Sequence, residues 1–175
     1  MIRSAFIIPC VAVIASSQVF ANDWKLEIVP TAVYPNRKVI DTKSGNSSFH
    51  VVLTNISKSD LSVWREWCSW GYFSLTFTGS LPDGKSFQIS KKGRDWTKNY
   101  PDAYLVRPGQ HFIWDVRFLP EIWDGFPSEW KNGEATIQAH FQQSKDSEPS
   151  PKTKGDDTIW FGKVSSDPLK VELYR

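Results

Sequence analysis

Apolar and polar side chains alternate with period two along most of the chain, and nowhere does a helical face develop over three turns. Trp24, Leu26 and Ile28 share one parity. Phe49, Val51 and Leu53 form a second set, and Phe73, Leu75 and Phe77 a third. Phe112, Trp114, Val116 and Phe118 follow, then Ala135, Ile137, Ala139 and Phe141, and finally Leu169, Val171 and Leu173. Polar residues at the intervening positions are what a strand with one buried face requires. Leu61 to Cys68 departs from this. Val63 and Trp67 lie on one face and Trp64 and Cys68 on the other, which predicts an extended segment covered on both faces, or a bulge.

Leu81-Pro-Asp-Gly84, Arg107-Pro-Gly-Gln110 and Asn132-Gly133 punctuate these runs with turn chemistry. The pattern predicts strands near 24–29, 48–55, 61–67, 72–78, 86–90, 111–118, 135–142 and 159–174. Pro168 interrupts the last, marking an edge strand or one that bends from one sheet to the other. The expected fold is all-β: an immunoglobulin-like sandwich of two antiparallel sheets with about eight strands. Gln142 to Asp157, rich in Ser, Pro, Lys and Asp, reads as a long mobile loop within one domain.

If each strand crosses the sandwich once, the connections 30–47, 68–71, 91–110 and 143–158 share one end. That end would carry Tyr34, Trp70, Arg94, Trp96, Lys98, Tyr100 and Tyr104, and three long loops there make it the expected binding end. Trp123 and Trp130 fall on the opposite end, so no single patch is expected to gather all four loop tryptophans. Trp24, Trp114, Trp160 and at least one of Trp64 and Trp67 are expected in core or strand packing. Trp70, Trp96, Trp123 and Trp130 either cap the ends of the sandwich or, if exposed, serve as sugar-stacking platforms or protein-contact anchors.

The amino terminus sets the compartment. Arg3 precedes an apolar run from Ala5 to Ala15 that is too short to span a bilayer, and Val19-Phe-Ala21 offers small residues for cleavage. Residues 1–21 therefore read as a signal peptide, with 22–175 as a single exported domain, periplasmic or extracellular. A lipoprotein signal at Cys10 is the rival, although Pro9 stands where a small residue is expected. Removing Arg3 leaves one fewer than the 21 basic residues against 19 acidic, a balance of +1 with the signs interspersed. This argues against nucleic acid as a partner, and no mature segment reads as a membrane span. Cys68 is then the lone cysteine, expected to be buried between Trp67 and Trp70, with an intermolecular bridge as the minority reading.

Candidate chemistry is sparse. His50, His111 and His140 sit at polar parity without metal-ligand spacing, so no metal or other cofactor is expected. Cys68 lacks the context of a nucleophile. Asp115, Glu121, Asp124 and Glu129 lie near tryptophans without any readable separation for a glycosidase pair. The chain reads as no enzyme. Asn46-Ser-Ser48 and Asn55-Ile-Ser57 match the glycosylation acceptor pattern, which has no meaning in a bacterial exported protein.

Ile159-Trp-Phe-Gly-Lys-Val-Ser-Ser-Asp-Pro-Leu-Lys-Val resembles the closing strand pair of a loosely defined set of exported bacterial immunoglobulin-like proteins of unknown role. Trp160, Gly162, Val164, Ser166 and Pro168 occupy the places of that pattern. Val51-Val-Leu-Thr-Asn-Ile-Ser57, Asp83-Gly84 and Arg107-Pro-Gly-Gln110 look like its other landmarks. A similar order occurs in bacterial proteinase inhibitors of immunoglobulin-like fold, which are intracellular. The resemblance implies a fold and carries over no functional residue. The expected function is binding without catalysis: contact with another envelope or extracellular protein through the loops of one end. A carbohydrate-binding module using Trp70, Trp96 and neighbouring tyrosines is one alternative, and a proteinase inhibitor the other.

Overall fold

The computed structural model describes residues 23–30, 39–41, 49–127, 132–145 and 158–174. Its strands are Trp24–Pro30 (β1), Val39–Asp41 (β2), Phe49–Asn55 (β3), Leu61–Trp64 (β4), Leu75–Ser80 (β5), Ser86–Lys91 (β6), Ala103–Val106 (β7), His111–Val116 (β8), Trp123–Asp124 (β9), Gly133–Gln143 (β10), Gly162–Ser165 (β11) and Leu169–Tyr174 (β12). One short helix, Ser69–Tyr72 (α1), lies between β4 and β5. The chain is all-β, as the alternation predicts. The signal segment, Tyr34, Asn46, Glu129, Trp130 and most of the 142–157 stretch lie outside the described residues.

Alternation fixes which side chains meet. In the first sheet, β1, β3 and β8 run antiparallel, with Leu26 opposite Leu53 and Val51 opposite Trp114. These four are buried, while Lys25, Val29, Ile113 and Asp115 at the other parity face solvent. The second sheet has the order β2-β12-β10-β5-β6-β9, with β11 also paired to β10. All its pairings are antiparallel except that of β2 with β12. The inner faces meet in one core, where Phe49 packs edge-on against Phe77 at 5.7 Å and Trp114 lies 5.3 Å from Phe141. Each such large apolar side chain contributes about 1.5–3 kcal/mol by leaving water.

Pro168 does interrupt the last strand, but the chain stays in the same sheet. β12 pairs with Gly133–Ile137 of β10, and β11 pairs with His140–Gln143. Ser166 bridges the gap: its N–H donates to Ala139 O at 2.9 Å, and its hydroxyl accepts from Ala139 N at 3.0 Å.

Three expectations are corrected. First, β4 ends at Trp64 instead of reaching 67, although its buried Ser62, Val63 and Trp64 show the two-sided cover that its parity implied. Val63 faces the main core, and Trp64 joins a satellite cluster with Cys68 and Ile159. Second, Phe73 precedes β5, which starts at Leu75, and is 49% exposed despite its parity with Leu75 and Phe77. Third, β2, β7 and β9 fall inside segments expected to be loops. With them, connections no longer alternate simply between two ends.

Candidate functional site

The turn from β4 into α1 organises an aromatic and cationic surface. Arg65 O accepts from Cys68 N at 3.3 Å and from Cys68 Sγ at 3.1 Å. Cys68 O in turn accepts from Gly71 N at 3.2 Å and Tyr72 N at 3.0 Å. Gly71 is needed for this tight path, because a Cβ there would overlap the carbonyl oxygens of Arg65 and Trp64. The thiol of Cys68 is free and fully buried as expected, but its apolar neighbours are Trp64, Ile159 and Trp70, and Trp67 points away.

On one side of the turn, Trp67 is 57% exposed and held in place. Its indole N–H donates to Asp102 Oδ2 at 2.9 Å. The Arg65 guanidinium lies 3.8 Å from the Tyr104 ring centroid and 4.7 Å from that of Trp67, in the angle between two rings tilted by 53°. Arg65 Nε stands 3.3 Å from Asp102 Oδ1, close enough for ion pairing but not aligned for a hydrogen bond. Ser69 N donates to Asn99 Oδ1 at 2.9 Å and Asn99 Nδ2 donates to Ser69 Oγ at 2.7 Å, tying the 92–102 connection to the turn.

On the other side, Lys91 Nζ donates to Glu66 Oε1 at 2.8 Å and lies 4.8 Å from the Tyr72 ring and 5.5 Å from the Trp123 ring. Tyr72 meets Trp96 edge-on at 5.5 Å, and the Arg94 guanidinium sits 4.5 Å over Trp96. Phe73 packs against Tyr72 at 4.8 Å.

This arrangement revises the sorting of loops. Trp96 and Trp123, expected at opposite ends, belong to one cluster linked by Tyr72 and Lys91. Trp123 itself is core, 4% exposed and packed on Phe77 and Phe118. Trp70 is half-buried against Trp64 at 6.2 Å and acts as a cap. Arg94 and Lys98 are exposed, Tyr100 is 75% exposed, and Tyr104 is half-buried beneath Arg65. Trp24 and Trp114 are buried, and Trp160 is half-buried between Trp24 and Phe141. Sequence reasoning missed Arg65, Glu66, Trp67, Tyr72, Phe73, Lys91 and Asp102. The broken parity of 61–68 was the signal for Arg65, Glu66 and Trp67, and inward parity on β6 was that for Lys91; Tyr72, Phe73 and Asp102 carried none.

The other candidates are partnered elsewhere. His50 Nδ1 lies 2.6 Å from Asp115 Oδ1 and His111 Nδ1 2.9 Å from Thr54 Oγ1, both cross-strand pairs on the first sheet. His140 bridges Thr78 at 2.8 Å and Ser165 at 2.7 Å on the second. Burial, and secondarily the charge of Lys163, lowers the His140 pKa below the ordinary histidine value. Asp124 Oδ1 accepts from Gly125 N at 2.8 Å on the second sheet, whereas Asp115 lies on the first. Among the described residues no three His, Cys, Asp or Glu side chains gather to hold a metal ion, and no helix is long and apolar enough to cross a membrane. No protein-family model and no curated protein sequence matches the chain.

Proposed function

We propose that this is an exported, non-catalytic binding protein of immunoglobulin-like fold whose partner is another protein, met at the surface around residues 65–73. Strand order supports the fold assignment. β1, β3 and β8 take the places of strands A, B and E; β5, β10 and β12 those of C, F and G; β6 lies at C′. The departure is β7, which pairs with β4 instead of β8.

One observation carries the functional reading: an exposed tryptophan fixed by a hydrogen bond and flanked by a stacked arginine and tyrosine. Trp, Tyr and Arg dominate protein-contact hot spots, and a side chain held before binding loses less entropy when a partner arrives. A sugar site also uses aromatic platforms, but it needs polar groups to fix hydroxyls. Here Asp102 already serves Arg65 and Trp67, and Asn99 serves Ser69 through both its oxygen and its nitrogen. Arg94 covers one face of Trp96.

The test is capture from an envelope extract with residues 22–175 of the wild type and of Trp67→Ala. A protein retained by the wild type and lost by the variant, with both folded by circular dichroism, is the expected result. Saturable binding of a soluble glycan that Trp67→Ala abolishes would replace the protein partner with a carbohydrate.

A further inference from the structure

The cations around this surface divide by whether a carboxylate holds them. Lys91 holds Glu66 at 2.8 Å, and Arg65 faces Asp102 at 3.3 Å. Arg94 has no acidic partner among the described residues, although Asp95 adjoins it in sequence. Its guanidinium carbon instead lies 4.5 Å from the Trp96 centroid and 5.4 Å from that of Tyr72. Both rings are themselves fixed, Trp96 edge-on to Tyr72 and Tyr72 beneath Lys91 Nζ. Cation–π contact occupies the face of a guanidinium and leaves its N–H edge uncommitted, so stacking and a bidentate carboxylate are compatible. With Lys91 neutralised by Glu66, residues 92–98 present Lys92, Arg94 and Lys98 against Asp95 alone. Half-exposed Phe73 packs on the same Tyr72 that flanks Arg94, and supplies apolar surface at that ring.

We propose that Arg94 is the specificity point of this surface and receives a carboxylate from an extended acidic segment of the partner, with Phe73 taking an apolar side chain next to it. The inference rests on the protein-binding reading of the surface and adds the chemistry of what is bound. Stacking on Trp96, with Tyr72 flanking it, removes much of the rotamer freedom that an arginine otherwise loses on pairing, and fork-to-fork geometry makes the contact selective for a planar anion.

A phage-displayed random dodecapeptide library, selected against the wild type, Arg94→Gln and Arg94→Lys, tests it. Wild type is expected to enrich Asp or Glu beside an aromatic or aliphatic residue. Arg94→Gln should lose the acidic preference, and Arg94→Lys should keep it in reduced form. A synthetic peptide of the winning sequence should bind Arg94→Gln about ten-fold more weakly, and its wild-type affinity should fall as salt rises. Enrichment with no acidic preference, or an acidic preference unchanged in Arg94→Gln, overturns the carboxylate assignment and leaves the protein-binding reading standing. Failure to enrich any peptide overturns the extended acidic segment; capture from the envelope extract then decides the broader reading independently.

Discussion

Lys91 reaches Glu66 at 2.8 Å with its own side chain 5% exposed and its partner's 42% exposed. It follows Phe87 and Ile89 at the inward parity of β6, so the strand directs a lysine where an apolar residue belongs. The rings of Tyr72 and Trp123 cover the ammonium, and Glu66 supplies the charge. Breaking such a pair from one side leaves a desolvated cation, whereas removing that cation leaves an apolar box. Glu66→Ala is therefore expected to cost about 1–2 kcal/mol, discounted for the carboxylate's exposure, and Lys91→Met less. Urea denaturation of the two variants and their double mutant checks the order, and equal costs for the single variants would refute the buried-cation account.

Gly71 has no room for a side chain. Placing a methyl group against the carbonyls of Arg65 and Trp64 forces the β4–α1 turn to open, so Gly71→Ala should cost about 1–3 kcal/mol. The same substitution at Gly93, where a Cβ meets nothing within 4 Å, should be neutral or slightly stabilising. Thermal unfolding followed by near-ultraviolet circular dichroism separates the two, because the first variant also disturbs the packing of Trp67 and Tyr72.

How far the sequence can be read follows from where each residue's partners lie. Phe49, Val51 and Leu53 need only one wet and one dry face, and period two records that locally. Trp67 and Ser69 are fixed by Asp102 and Asn99, which are remote in sequence and bring no periodicity with them. Ala103–Val106 lies between Pro101 and Pro108 and reads as loop; it is a strand because Leu61–Trp64 supplies its ladder. Trp123 is core because a two-residue strand sets it on Phe77 and Phe118, a contact made only once both sheets exist. Broken parity at 61–68 and a lysine at inward parity were visible in the sequence. Their meaning depended on contacts that the sequence does not localise.

His140 links stability to pH. Burial first, and the charge of Lys163 second, lower its folded pKa below the ordinary value. The unfolded chain then binds the proton more readily. The contribution is fully present above the unfolded pKa of about 6.5 and is lost as pH falls through it toward the folded pKa. Wild type is expected to lose more stability between about pH 8 and pH 5 than His140→Gln, and Lys163→Ala should reduce that loss in part. Urea midpoints measured at both pH values provide the check, and parallel curves for wild type and His140→Gln would remove His140 from the account.

Asn55 is fully buried at the end of β3, and all four of its side-chain hydrogen-bonding positions are used. Its Nδ2 donates to Ser59 O and Val106 O, each at 2.8 Å, and its Oδ1 accepts from Ser57 N at 2.9 Å and Ser57 Oγ at 2.7 Å. One side chain thus joins the 56–60 turn to the end of β7, the strand that leads back to Tyr104 and the exposed surface. Asn55→Ala leaves buried groups unpaired and should cost about 2–4 kcal/mol. Asn55→Asp keeps the acceptor but turns a carboxylate toward two carbonyl oxygens, and it should cost at least as much at neutral pH while recovering part of the loss under acid, where the protonated form donates once. A glycan on the Asn55-Ile-Ser57 motif would occupy the same nitrogen and is incompatible with this packing. Denaturation of both variants at neutral and acidic pH measures the effect, and an Asn55→Asp stability that falls in parallel with wild type on acidification would show that the two carbonyls do not govern this site.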